Sequence, residues 1–160
     1  MFHIRITAAI LRPILKFIHY LTPIADLLAR VWVAKIFLTS GIHKIQNWNT
    51  TLMLFQNVYH VPLMSPILAA YIGTRFEIIL PILLILGFGG RFVIFVFMIY
   101  NIECVLSFPF LCTRAGAPGL ANHISWGLLL LLLFCHGSGK LSLDYLLHKR
   151  WGHHLDKKTL

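Results

Sequence analysis

Four long apolar runs, parted by short polar or glycine-rich stretches, set the plan of this chain. As helices, runs of this length cross the roughly 30 Å hydrocarbon layer of a bilayer. The pattern predicts spanning helices at about 24–45, 66–86, 92–108 and 120–136. The first opens at Thr22–Pro23 and the second at Ser65–Pro66, each a capping hydroxyl followed by a first-turn proline. Gly87, Gly89 and Gly90 stop the second, and Gly137 and Gly139 stop the fourth. Residues 46–64 are too polar and broken to span. With Trp48, Tyr59 and His60 they read as an interfacial loop carrying a short helix around Thr51–Tyr59.

Before the first span, Arg5, Arg12, Lys16 and His19 recur at helical spacing among Ile4, Ile10, Ile14 and Phe17. Residues 1–22 are therefore expected to form a separate amphipathic arm, kinked at Pro13, whose basic stripe meets anionic lipid. Arg12 and Lys16 interrupt the run, and no small-residue cleavage site follows, which argues against a cleaved signal peptide. A second short amphipathic helix begins near Leu143, and residues 149–160 make a basic tail. The expected fold is all-α: a membrane-embedded four-helix bundle with an N-terminal interfacial helix and a short C-terminal amphipathic helix.

Composition agrees. The 160 residues are 58% hydrophobic and only 12% charged, with a mean hydropathy of +0.79, well outside the soluble range. The net charge of +9 would suggest nucleic acid in a soluble protein. Here the cations flank the apolar runs, so membrane topology explains them and no nucleic-acid partner is expected. Arg5, Arg12, Lys16, Arg91, Lys140, Lys149, Arg150, Lys157 and Lys158 fall on one side, against Lys44 and Arg114 on the other. Both termini are accordingly expected in the cytoplasm. Cys104, Cys112 and Cys135 show no metal or dithiol spacing, and free thiols are expected.

Several charges fall inside the runs, where each needs a protein partner or a watery cavity. On the first helix Arg30, Ala34, Phe37, Gly41 and Lys44 share a face, with Lys35 roughly opposite. On the second, Ala70, Gly73, Glu77, Pro81 and Leu84 share one. Asp26 and Arg30 stand in the favourable i, i+4 order. By depth, Glu77 is expected beside Lys35, and Glu103 beside Arg75 or Lys44. Lys35, Gly41, Lys44, Arg75, Glu77, Glu103 and His123 thus form the candidate polar pocket. Two readings stand: charges that only fix helix order, or a pocket for a small polar molecule, a quinone head group or a proton. No catalytic residue is assigned.

Three stretches carry a resemblance: FLTSGIHKI, FEIILPILLILGFGGRF and GSGKLSLDYLL. In order and spacing, over about residues 24–148, they resemble the DoxX family of four-helix bacterial membrane proteins. The wider set includes the methylamine-utilisation protein MauE and the DoxD subunit. The resemblance maps the family's Gly-x-x-Lys onto Gly41 and Lys44, its helix-two acid onto Glu77, and its turn cation onto Arg91. Its tail motif falls on Gly137, Gly139, Ser142 and Asp144. Asn122 and His123 stand where many members carry an acid; Lys35, Arg75, Glu103 and the basic arm are additions.

That resemblance implies a bacterial inner-membrane protein. Some relatives are membrane subunits of a thiosulfate:quinone oxidoreductase, and others take part in membrane redox homeostasis with partner proteins. The chain has no nucleotide, flavin or metal-cluster motif of its own, so a quinone or a partner oxidoreductase would carry any redox chemistry. The competing readings are a non-enzymatic scaffold, with or without homo-oligomerisation, and a haem or proton carrier. The last would use His43 with His123, or His19 with His136.

Overall fold

A computed structural model describes residues 2–137 and 139–155; side chains are described for Arg12 and from Leu15 to Arg150, Ser138 excepted. Six α helices account for most of it: α1 (Phe2–Gln46), α2 (Trp48–Asn57), α3 (Pro66–Leu86), α4 (Gly90–Ser107), α5 (Ala117–His136) and α6 (Leu143–Leu155). A single 3-10 turn, Pro109–Cys112, joins α4 to α5. Three of the helices, α3, α4 and α5, are long and apolar enough to cross a membrane. The segment expected to be the first span has the length, but Asp26, Arg30, Lys35 and Lys44 lower its hydropathy.

One expectation fails at the N-terminal end. The fresh helix start expected at Thr22–Pro23 is not made, because α1 is helical from Phe2 to Gln46, 45 residues, and residues 2–22 are continuous with the first span. Neither Pro13 nor Pro23 ends it. A proline inside a helix removes one backbone bond without preventing its neighbours from continuing, and Thr22 donates its hydroxyl to the Ile18 carbonyl instead of capping.

Elsewhere the punctuation works as the sequence predicts. Ser65 caps α3, accepting from the Leu68 amide at 3.4 Å, with proline in the first turn. Gly87 ends α3 in the left-handed region, at φ 62°. The short helix expected around Thr51–Tyr59 is α2, one turn earlier.

The packing follows the two predicted faces. α1 lies mainly against α3 and also against α5, while α4 lies against α5 and α3. Arg30, Ala34, Phe37 and Gly41 of α1 are buried, as are Ala70, Glu77, Pro81 and Leu84 of α3. The helices touch most closely at Gly41, where a Cβ would stand 2.9 Å from Ile78 Cγ1 and 3.0 Å from Glu77 Cβ. Phe37 centres the core, edge-on to Phe97 at 4.8 Å and to Trp126 at 5.4 Å between ring centroids. Leu80, Leu84, Ile94, Leu130 and Leu133 complete it. All three cysteines are free thiols, as expected.

Candidate functional site

Two polar clusters lie at opposite ends of the α1–α3 contact. At the end where α1 meets α2, Lys44 Nζ donates to Glu77 Oε1 at 2.5 Å. Glu77 is buried, and the close approach at Gly41 brings its helix within reach of Lys44. The Tyr100 hydroxyl from α4 shares its proton between Glu77 Oε1 at 3.2 Å and the Gly73 carbonyl at 3.1 Å. Both partners thus fall on one carboxylate oxygen. The other, Oε2, is buried with no hydrogen-bond partner. A bare buried carboxylate oxygen costs several kilocalories per mole unless something donates to it.

Glu77 and Lys44 border a cavity of about 280 Å³ between α1, α2, α3, α4 and α5. Aromatic rings of Phe37, Phe55, Tyr59 and Trp126 supply much of the lining, with Lys44, Glu77, Glu103 and His123 as the polar groups. Helix α2 contributes through Phe55, over whose ring Lys44 Nζ stands at 5.6 Å. It is held there by Thr51, whose hydroxyl donates to the Lys44 carbonyl at 3.0 Å. His123 is oriented by Asn101: its Nδ1 lies 2.9 Å from Asn101 Oδ1, and Asn101 Nδ2 donates to the His123 carbonyl at 3.0 Å. Glu103 accepts from the Ser107 hydroxyl one turn on.

Of the seven pocket residues expected from the sequence, four line this cavity: Lys44, Glu77, Glu103 and His123. Gly41 supports it from behind. Lys35 and Arg75 do not belong; both are exposed on other flanks of α1 and α3. The expected pairings of Glu77 with Lys35, and of Glu103 with Arg75 or Lys44, are not made. Lys35 is nine residues from Lys44, which at 100° per residue points it away from α3. Tyr100, Phe55 and Trp126 were not anticipated. Their only signal is aromatic position on faces that become inward once the helices associate.

The second cluster lies at the α6 end. The Arg30 side chain is 1% exposed, donates from Nη2 to the Leu141 carbonyl at 2.7 Å, and presses Nη1 toward Gly87. Asp26 Oδ1 lies 2.9 Å from His136 Nδ1 of α5, while the Asp26 backbone carbonyl accepts from Arg30 Nε at 3.4 Å. The Asp144 carboxylate accepts from the Gly89 amide at 3.2 Å, while its own amide donates to the Gly87 carbonyl at 3.3 Å. Ser142 begins α6, its hydroxyl accepting from the Tyr145 amide at 3.1 Å. Arg91 Nη2 donates to the Cys135 carbonyl at 3.2 Å, at the end of α5 and against Gly137. Arg91, Gly137, Ser142 and Asp144 therefore tie the α3–α4 turn to the tail, with Gly139 close to Asp26. His19 meets Lys140 at 3.3 Å, and His43 is exposed, so three of the four histidines considered as haem ligands have other partners.

An all-helical chain with three apolar helices of membrane-crossing length, and a buried ion pair between its first and third helices, is a membrane protein. The DoxX family model matches residues 25–108, just over half of the chain, and the protein belongs to that family. The match takes in Gly41, Lys44, Glu77 and Arg91 and stops at Phe108, so the tail motif and His123 lie beyond it. No curated protein and no solved structure matches the chain.

Proposed function

We propose that the protein is a four-span bundle of the bacterial cytoplasmic membrane, with both termini inside, and that its α2-end cavity receives a quinone-type head group. It would serve as the membrane subunit beside a partner oxidoreductase. The second half of α1 is the fourth span; its charges are tolerable because Arg30, Asp26 and Lys44 turn inward to partners. The basic residues of α1's first half and of the tail support the orientation and a contact with anionic lipid. The cavity then opens in the outer half of the membrane.

The observation that carries the ligand reading is the Lys44–Glu77 pair at the edge of an aromatic-walled cavity, with both of Glu77's hydrogen bonds on one oxygen and none on the other. A flat ring fits between such walls. Lys44 keeps N–H groups free to donate to a quinone carbonyl, and Glu77 Oε2 or Glu103 accepts from a quinol hydroxyl. Residues that hold both redox forms suit a subunit that presents quinone to a partner.

Decylubiquinone titrated into the detergent-solubilised protein should quench Trp126 fluorescence saturably. Lys44→Met should weaken that binding at least tenfold. Absence of saturable binding, or an unchanged affinity in the variant, would leave the charges as structural and favour the scaffold reading. Single cysteines at Asn49 and Lys158 should label from opposite sides of the membrane.

A further inference from the structure

Arg75, like Lys35, is a charge that the cavity does not explain. It lies nine residues inside α3, about 14 Å from the Pro66 end at about 1.5 Å per residue, and so well within the hydrocarbon layer. Standing two residues before Glu77, it points roughly 200° away, on the far flank of the helix from the cavity. Its side chain is exposed and has no hydrogen bond or ion pair among the described residues. None of the described acids pairs with it. Asp26 holds His136, Glu77 holds Lys44, Glu103 accepts from Ser107, and Asp144 accepts from the Gly89 amide. A cation at this depth needs an anion from outside the chain.

The surroundings say which anion. Arg75 lines a groove of about 340 Å³ with Ile45, Trp48, Tyr71, Thr74 and Ile78, on the outer half of the α1–α3 contact. The Thr74 side chain is 4% exposed, and its buried hydroxyl has no partner, although a helical threonine ordinarily bonds back to its own helix. Trp48 and Tyr71 pack with ring centroids 4.6 Å apart and planes tilted by 48°, one turn nearer the outer surface than Arg75. Such rings sit at the boundary between headgroups and acyl chains. Ile45 and Ile78 give the groove an apolar wall.

We infer that this groove is a binding site for an anionic phospholipid, its phosphate held by the Arg75 guanidinium and the Thr74 hydroxyl. Arg75 reaches outward past Tyr71, and its planar fork meets two phosphate oxygens. Thr74 donates to a third, and an acyl chain lies along Ile45 and Ile78. The charge fits an anionic lipid better than a zwitterionic one, and the rings place the headgroup at the membrane boundary. The site is separate from the quinone reading and stands or falls without it.

Native mass spectrometry of the full chain in mild detergent, with phosphatidylglycerol and phosphatidylcholine supplied equally, tests this directly. The wild type should keep one phosphatidylglycerol in clear preference to phosphatidylcholine. Arg75→Gln should reduce that retention at least tenfold, Thr74→Val about threefold, and Arg75→Lys less than Arg75→Gln. Lys35→Gln, which removes an exposed cation outside any groove, should change nothing. Equal retention of the two lipids, or retention by Arg75→Gln at the wild-type level, would overturn the assignment. So would an Arg75-dependent protein that co-purifies in place of lipid, since Arg75 would then pair with a partner's carboxylate. Arg75 is exposed, so its variants should melt as the wild type does. If Arg75→Gln fails to fold, the Thr74→Val and Arg75→Lys results decide the matter.

Discussion

The two ends of the α1–α3 contact use the same materials to opposite effect. Each has a cation from α1, a buried acid and a glycine at which backbones meet. At the α6 end, Arg30 is packed against Gly87 and bonded to Leu141, and the nearby void of about 10 Å³ holds nothing larger than a water. At the α2 end, the Lys44–Glu77 pair borders about 280 Å³ and leaves one carboxylate oxygen bare. The closed end behaves as a fastening. Each end leaves one buried polar atom unpartnered, Arg30 Nη1 at one and Glu77 Oε2 at the other; what the open end adds is room, and polar groups beside a shaped cavity are what a ligand needs.

The largest test of this contrast is Gly87→Ala. The residue sits at φ 62°, and a Cβ there would stand 2.4 Å from Arg30 Nη1 and 2.6 Å from Ser142 Cβ. With no room to yield, the fastening should lose about 3 kcal/mol or more, read as a marked drop in melting temperature in detergent. A mild effect would mean that the end is looser than its packing implies.

Next comes Glu77→Gln, which strands Lys44 and should cost about 3 kcal/mol. The double variant Lys44→Met with Glu77→Leu should recover most of that stability, because replacing a buried pair by apolar side chains is often neutral. Quinone binding should nonetheless stay lost. Recovery of both would make the open end a fastening too.

His136→Ala should cost only about 1 kcal/mol, since the imidazole is 52% exposed while Asp26 keeps its buried position. A loss as large as that of Gly87→Ala would put the acid, not the arginine, at the centre of the closed end. Lys35→Gln should move melting by no more than about 0.5 kcal/mol, because the side chain touches neither cluster.

Much of this was legible in the chain. Periodicity alone selected the inward faces, and Arg30, Ala34, Phe37 and Gly41 are buried together as their 100° spacing requires. The caps at Ser65 and Gly87 were equally plain. What misled was depth. Counting residues put Glu77 level with Lys35, yet Glu77 stands level with Gly41, six residues or about 9 Å along α1 from Lys35, and Lys35 also lies on the wrong side of its helix. Asp26 does stand beside Arg30, whose Nε donates to its backbone carbonyl at 3.4 Å, but its carboxylate also meets His136, 110 residues away, which leaves no local trace. The contribution of α2 was hidden for another reason. A polar, broken stretch gives no periodic sign that Thr51 and Phe55 will fold back over the end of α1. The merged first helix marks the limit of reading prolines as boundaries, since Pro23 sits inside α1 and Pro81 inside α3.

The unbroken α1 has a mechanical consequence. Arg30 and Lys44 are fourteen residues apart, about 21 Å along one axis at about 1.5 Å per residue, and helical backbone resists twisting over that distance. Any turn of the shaft that draws Lys44 away from Glu77 must also strain Arg30 in its seat beside Gly87 and Ser142. The shaft continues past that seat for another 28 residues, to Phe2. A torque applied beyond that seat would therefore be felt at the Lys44–Glu77 pair.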